Sequence, residues 1–302
     1  MINALLSFAF IWCLTYGRLP VPVILVIGSG LAAFLFISSR HRHTGFIVTD
    51  VLAQASRLKS VNPTLKVITA FALIIVGIAS PSAWTGVFLA LTAFLIATFG
   101  GNISPHEYVE VLSIPLAFLL IGGLALLIEA TPDPTGIVNI NLYYFYLTVS
   151  PLAQQKTALV ISRAMGAFSC LSLLSVTTPM SDIIGVLRRM HCPELIIDLM
   201  YLIYRYIFIL LTMHHEMMNA AKSRLGLRNY RTSLRTTASV YSNLLARSHN
   251  LASQNFDAME SRCYNSGISF LENRVKANAV QVSACIVLLT AASAISLITV
   301  MM

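Results

Sequence analysis

The chain has 302 residues, of which 57% are hydrophobic and 11% charged, with a mean hydropathy of +0.77. An ordinary soluble chain is about 25% charged, so a soluble single domain and an intrinsically disordered chain are excluded, and a polytopic membrane protein solvated largely by lipid is indicated. The net charge of +8 reads as basic cytoplasmic loops rather than a nucleic-acid surface, and five cysteines without CxxC spacing exclude a disulfide scaffold and a redox or metal motif.

A membrane-spanning helix needs about 17–25 apolar residues. Such runs fall at 2–16 (a short one), 20–39, 67–79, 83–99, 114–128, 157–176, 195–213 and 279–302. Gly28-Ser29-Gly30 inside the second run reads as close helix packing. Pro81, Pro105, Pro115, Pro132, Pro134, Pro179 and Pro193 sit near run ends, as helix punctuation does. The connection 131–152 holds no Lys or Arg, and its Tyr143, Tyr144 and Tyr146 suit the lipid headgroup level. Glu129 and Asp133 read as solvated at that outer boundary. Arg163, inside the 157–176 run, is an intramembrane charge and so a flag for function. Its place near a helix end favours snorkelling to the interface instead.

Basic residues orient the chain. Arg40, Arg42, Arg57, Lys59 and Lys66 cluster between the second and third runs, and Arg188 and Arg189 precede Pro193. Lys222, Arg224, Arg228, Arg231, Arg235, Arg247, Arg262, Arg274 and Lys276 fill 213–276. All three clusters are expected in the cytoplasm. The run 195–213 then begins and ends on one side, and it carries Asp198 and Arg205, which are costly in hydrocarbon. It is therefore expected to be amphipathic and to lie along the inner face. An ordinary span with one misassigned loop is the alternative.

The stretch 212–267 has no spanning run but is rich in helix formers. Residues 236–264 hold no Gly or Pro, and Ala238, Tyr241, Leu245, Ser248, Ala252, Asn255, Met259 and Arg262 recur at 3,4 spacing. That seam suits packing against a neighbouring helix. Such a helix would be roughly 40 Å long, paired with a preceding one through a joint near 229–233. Each helix end carries an arginine, Arg224 in Ala-Ala-Lys-Ser-Arg-Leu-Gly and Arg262 in Ala-Met-Glu-Ser-Arg-Cys-Tyr-Asn-Ser-Gly. A guanidinium fork there could pair with a partner's carboxylate. It could equally cap its own helix's C-terminus.

The two segments, 38 residues apart, resemble the paired X-Arg-X signatures of the transmembrane T component of energy-coupling factor (ECF) transporters, nearest to the CbiQ/NikQ branch for cobalt or nickel. Ser56-Arg57-Leu58, Asn62-Pro63-Thr64-Leu65-Lys66, Thr178-Pro179, Cys192-Pro193, Tyr204-Arg205-Tyr206, Glu216 and Leu245-Ala246-Arg247-Ser248 are similar too. The likeness runs from about residue 50 to the C-terminus. Two departures stand out: Cys263 occupies a place where the family usually has Gly, which would favour a left-handed helix end, and the first 45 residues are extra.

The resemblance implies an all-α polytopic membrane protein of the cell inner (cytoplasmic) membrane, with about five core transmembrane helices, one or two extra N-terminal hydrophobic helices, and long amphipathic cytoplasmic coupling helices. The expected divisions are an N-terminal extension (1–45), a transmembrane core (46–178), a coupling-helix module (179–276) and a final transmembrane helix (277–302). It implies a non-catalytic scaffold that binds no cofactor itself, ATP being bound by two partner ATPase subunits. A substrate-binding S component of the CbiM/NikM type completes the complex, and a small auxiliary membrane subunit remains open. Carried onto this chain, Arg224 and Arg262 would dock in the ATPases, with Ala221, Ser223, Leu225, Ala258, Met259, Ser261 and Tyr264 shaping the contacts. Pro193, Arg205, Tyr206 and Glu216 would lie on the face toward the S component.

Competing classes find less in the sequence. There is no GxxxxGK[ST] loop for ATP. His215-Glu216-Met217-Met218-Asn219 misses the second histidine of a zinc-protease motif, and the other histidines lack ligand spacing. An intramembrane enzyme should pair acidic or histidine residues inside its spans. A stand-alone secondary carrier should show inverted repeats with broken helices. Neither pattern is evident.

Overall fold

The computed structural model describes residues 47–127, 129–131, 138–142, 145–264 and 278–301. The expectations for 1–45, for Asp133, Tyr143 and Tyr144, and for 265–277 lie outside the described residues. In chain order the elements are α1 (Ile47–Ala55), a 3-10 turn (Arg57–Ser60), α2 (Pro63–Ala79), α3 (Ala83–Leu95, continued by a π turn, Ile96–Gly100) and α4 (Pro105–Leu127). Then come β1 (Glu129–Thr131), β2 (Val138–Leu142), β3 (Phe145–Val149), α5 (Pro151–Thr177), α6 (Met180–Arg189), α7 (Glu194–Ser223), α8 (Tyr230–Glu260) and α9 (Ala279–Met301). Among the described residues, four helical stretches are long and apolar enough to cross a membrane, at Ala83–Gly100, Pro151–Thr177, Glu194–Ser223 and Ala279–Ile298. A bent pair, Pro105–Ser113 with Pro115–Leu127, would make a fifth. The chain is an all-α polytopic membrane protein. Its contacts divide it into two units, residues 1–179 with 274–302, and residues 180–273.

The first unit is built for a lipid solvent. Its interior mixes large apolar side chains such as Leu89, Leu127 and Val176 with small and hydroxylated ones, Thr85, Ser162, Ser169, Cys170 and Ser172, while Phe71, Trp84, Phe99 and Phe118 are exposed. Without water to drive association, membrane helices pack through small residues that let backbones approach. Gly86 and Gly166 do this where α3 meets α5. A Cβ on Gly86 would lie 2.0 Å from the Ser162 carbonyl oxygen, and one on Gly166 would lie 2.9 Å from Gly86 Cα. Tyr108 of α4 is fully buried, its ring edge-on to Phe94 and its hydroxyl donating to the Ser169 carbonyl at 3.1 Å. The starts of the helices are written locally. Asn62 accepts from the Thr64 N–H with Pro63 at the first helical position, and Ser82 and Ser150 cap α3 and α5 in the same way.

Four expectations for this unit need correction. The helix expected over 157–176 begins at Pro151 and has 27 residues, so Arg163 sits mid-helix rather than near an end. Its Nε donates at 2.8 Å to the carbonyl of Ser80, the residue that ends α2. An arginine fork thus satisfies a carbonyl that the helix end leaves over, and Ser162 beside it donates to the Ala83 carbonyl. Pro115 does not end a run but lies inside α4, where the helix bends by 46°, as a proline that removes an internal hydrogen bond makes it do. The 131–152 connection contains the antiparallel sheet β1-β3-β2, with Tyr146 opposite Thr131 and Asn141. Alternation in Val138–Leu142 and Phe145–Val149 supports strands.

The second unit is α6 followed by an antiparallel hairpin of α7 and α8. The hairpin is pinned along its length. Tyr264 just past α8 reaches Asp198 early in α7, the Tyr241 ring stacks on His214 at 5.3 Å between centroids, and Gly226 meets Thr236 at the turn. The helix expected to stop at 213 runs unbroken for 30 residues to Ser223, and the joint lies at 224–229 rather than 229–233. The packing seam of α8 agrees with the expected one at Ser248, Asn255 and Met259 and differs elsewhere, with Leu244 and Leu251 in place of Leu245 and Ala252. Val240 is buried, and Leu244, Ser248, Leu251, Asn255 and Met259 are half-buried. Ala238, Tyr241, Leu245 and Ala252 are exposed. Both registers obey 3,4 spacing, and in a helix this polar the larger side chains did not mark the inward face.

Candidate docking termini

Among the described residues the three helices of the second unit, α6, α7 and α8, end the same way, and the hydrogen bonds say how. At the end of α7 the Leu225 N–H reaches the Lys222 carbonyl (3.0 Å) and the Gly226 N–H reaches the Ala221 carbonyl (2.9 Å). At the end of α8 the Cys263 N–H reaches Glu260 (2.9 Å) and the Tyr264 N–H reaches Met259 (3.1 Å). After α6 the same pair joins His191 to Arg188 and Cys192 to Leu187. This is the paired closure that satisfies leftover helix carbonyls, and it requires a left-handed residue at its centre. That residue is Leu225 (φ 57°), Cys263 (φ 56°) and His191 (φ 60°) respectively. The turn that the missing glycine put in question is therefore made by Cys263.

Arg224 and Arg262 occupy the same place in two of these closures, directly before the left-handed residue. Both are exposed, and neither side chain has an ion pair or hydrogen bond among the described residues. Before His191 the same place is filled by exposed Met190, so the closure itself does not call for a cation. Backbone hydrogen bonds already hold the carbonyls that a capping guanidinium would serve. Ser223 and Ser261, next to the arginines, donate back to the carbonyls of Asn219 and Ala258 at 3.0 Å each. Leu225, Ala258 and Ser261 are exposed, and Ala221 and Met259 half-buried. The hairpin puts the two arginines at opposite ends of α8, whose 31 residues extend about 46 Å.

Tyr264, expected to shape the second contact, is committed within the chain. Its hydroxyl donates at 2.7 Å to Oδ2 of Asp198, a residue 4% exposed, whose Oδ1 lies 3.8 Å from Nη2 of Arg188. A buried carboxylate needs such partners. The cluster ties the end of α8, the start of α7 and the end of α6 together. Its visible signal in the sequence was the costly Asp198 in an apolar run; its tie to Tyr264, 66 residues away, had none.

On α7, Pro193 leads into the helix and is exposed, as are Arg205 and Glu216, while Tyr206 is half-buried. Leu195, Ile196, Leu199 and Ile203 are exposed and form an apolar stripe at helical spacing. His215 and Glu216 are exposed. Among the described residues no group of three or more His, Cys, Asp or Glu is placed to hold a metal ion.

The family model described as cobalt transport protein CbiQ matches residues 54–276. A putative fused cobalt transport protein CbiMQ from Methanocorpusculum labreanum is 31% identical over 218 residues, which are 72% of this chain and 36% of that relative's own length. An uncharacterized protein of Methanocaldococcus jannaschii is 30% identical over 226 residues, 74% of this chain and 83% of its own. The cobalt transport protein CbiQ of Rhodobacter capsulatus is 30% identical over 194 residues, 64% of this chain and 75% of its own.

Proposed function

Because the chain belongs to the CbiQ family of cobalt transport proteins and is a membrane component of cobalt transport, we propose that it is the non-catalytic coupling subunit of an ECF-type importer, for cobalt or nickel ions. It transmits movement of two ATP-hydrolysing subunits to a substrate-binding S component in the inner membrane. One observation carries the reading: two exposed arginines in one backbone geometry, at opposite ends of one helical hairpin, with no partner among the described residues. A stiff pair of helices with a cationic fork at each end suits two separate acidic grooves about 46 Å apart.

The α7–α8 pairing supports a hairpin lying on the cytoplasmic face. α7 alone is apolar enough to cross, but α8 lies along it and carries Arg231, Arg235, Arg247 and Asp257. Taking α7 through the bilayer would bring α8 with it, at roughly 2.5–3.5 kcal/mol for each arginine near the centre. The apolar stripe Leu195, Ile196, Leu199 and Ile203, with Pro193, Arg205, Tyr206 and Glu216 on the same helix, would face the S component and the lipid. The name of the fused relative, CbiMQ, supports an S component of the CbiM type.

Replacing Arg224 and Arg262 together by Ala should abolish co-purification of the ATPases and metal uptake, with membrane insertion unchanged. Truncating one side of a buried charge pair costs roughly 2–5 kcal/mol, so either single substitution should weaken assembly measurably. A double variant that still co-purifies and transports would overturn the assignment.

A further inference from the structure

Within the first unit, α2, α5 and α9 do not close against one another completely. They leave a cleft of about 320 Å³, lined by Leu58, Ala70, Leu73, Leu174, Ala284 and Leu288 among others. Its polar groups gather at one end. Lys66 and Gln281 lie in the first turns of α2 and α9, and Thr177 is the last residue of α5. Lys66 Nζ is fixed there, donating at 3.1 Å to the Thr177 carbonyl. Thr69, further in, turns its hydroxyl back to the carbonyls of Leu65 and Lys66. The deeper wall is hydrocarbon and the thiols Cys170 and Cys285. From Val280 to Leu288 the cleft follows α9 for about 12 Å.

The same end carries further positive charge. Leu58, which lines the cleft, sits in the 3-10 turn between Arg57 and Lys59, both exposed and without an ion pair among the described residues. An apolar slot that opens beside three cations at helix ends has the polarity of an amphiphile with an anionic head. Basic pockets between membrane helices bind anionic lipid headgroups for this reason. A zwitterionic lipid would bring its own cation against Arg57, Lys59 and Lys66.

We propose that the cleft between α2, α5 and α9 is a binding site for an anionic phospholipid, its acyl chain in the slot and its phosphate against Arg57, Lys59 and Lys66. The lipid belongs to the leaflet at that end of the helices. It fills a gap that three helices leave and ties the 3-10 turn before α2 to the start of α9.

The test is native mass spectrometry of the purified full chain, in detergent supplemented with equal amounts of dioleoylphosphatidylglycerol and dioleoylphosphatidylcholine. The chain should retain the anionic phosphatidylglycerol in preference. Each of Arg57→Gln and Lys59→Gln should cut the preference about fivefold, the worth of one basic residue beside an anionic headgroup. Ala284→Trp, which fills the slot, should release both lipids. Equal retention of the two lipids, or an unchanged preference in the Arg57→Gln, Lys59→Gln double variant, would overturn the proposal. So would a cross-link from Cys285 to residues 1–46, which would make the chain's own N-terminal segment the occupant. Should the Trp variant aggregate, the two surface substitutions still decide, since both side chains are exposed and touch no core.

Discussion

At the scale of single residues, the informative feature is backbone rather than side chain. Cys263 and Leu225 hold φ values near +57°, where a Cβ crowds the following carbonyl at roughly 1–2 kcal/mol per residue. Glycine would relieve this but would lose more chain entropy on folding. Cys263→Gly should therefore raise the thermal midpoint modestly in detergent, by a net gain of about 0.5 kcal/mol. Cys263→Val, branched at Cβ, should lower stability by roughly 1–2 kcal/mol. Equal midpoints for the Gly and Val variants would mean that the left-handed turn does not form in solution. The sequence resemblance pointed to the arginines and flagged Cys263, but it could not tell whether the turn survived without glycine. That depended on four hydrogen bonds, two at each helix end, which residue types alone do not specify.

At the scale of elements, the apolar runs of the membrane unit were legible and their ends less so. Spans were marked because lipid leaves few polar choices. The start of α5 lies outside the apolar run because Gln154, Gln155 and Lys156 are polar, yet Gln154 is buried. The strands are short and lie inside the 131–152 segment, whose Pro132, Pro134 and tyrosines read as one connection. The α8 seam was right at Ser248, Asn255 and Met259 and one residue off at Leu245 and Ala252, where Leu244 and Leu251 turn inward; Val240 is buried beside them. The two registers give opposite expectations for a charge. Val240→Asp should open the hairpin, at roughly 3 kcal/mol for a buried unpaired carboxylate. Leu245→Asp should stay within about 0.5 kcal/mol of the parent, as surface changes do. Hydrogen exchange over 230–260 would read both, and equal protection in the two variants would restore the seam first expected.

At the scale of the whole molecule, the decisive quantity is sidedness. α7 is 30 residues long and meets the length and hydropathy of a span, while its partner α8 does not. With a cysteine-free parent, Leu195→Cys and Ser223→Cys mark the two ends of α7 at exposed positions. A membrane-impermeant maleimide should label both from the cytoplasmic side of inverted vesicles and neither from the opposite side. Labelling from opposite sides would make α7 a span and remove the hairpin from the surface where soluble partners could meet it. Basic residues outnumber acidic ones by 20 to 12 across the chain. The positive-inside rule turned that surplus into a topology, but it could not reveal that α8 packs along one side of α7.

The left-handed closures have a mechanical corollary. Glycine at Cys263 or Leu225 would admit a wide range of backbone angles, and the guanidinium ahead of it could swing without disturbing the helix behind. A side-chain-bearing residue confines that joint to one narrow torsional well. If Arg224 and Arg262 are gripped as proposed, a push on either is passed into α7 and α8 with little slack. Under the proposed coupling role, Cys263→Gly would leave a sturdier protein with a looser hinge, read as more nucleotide hydrolysed for each ion delivered.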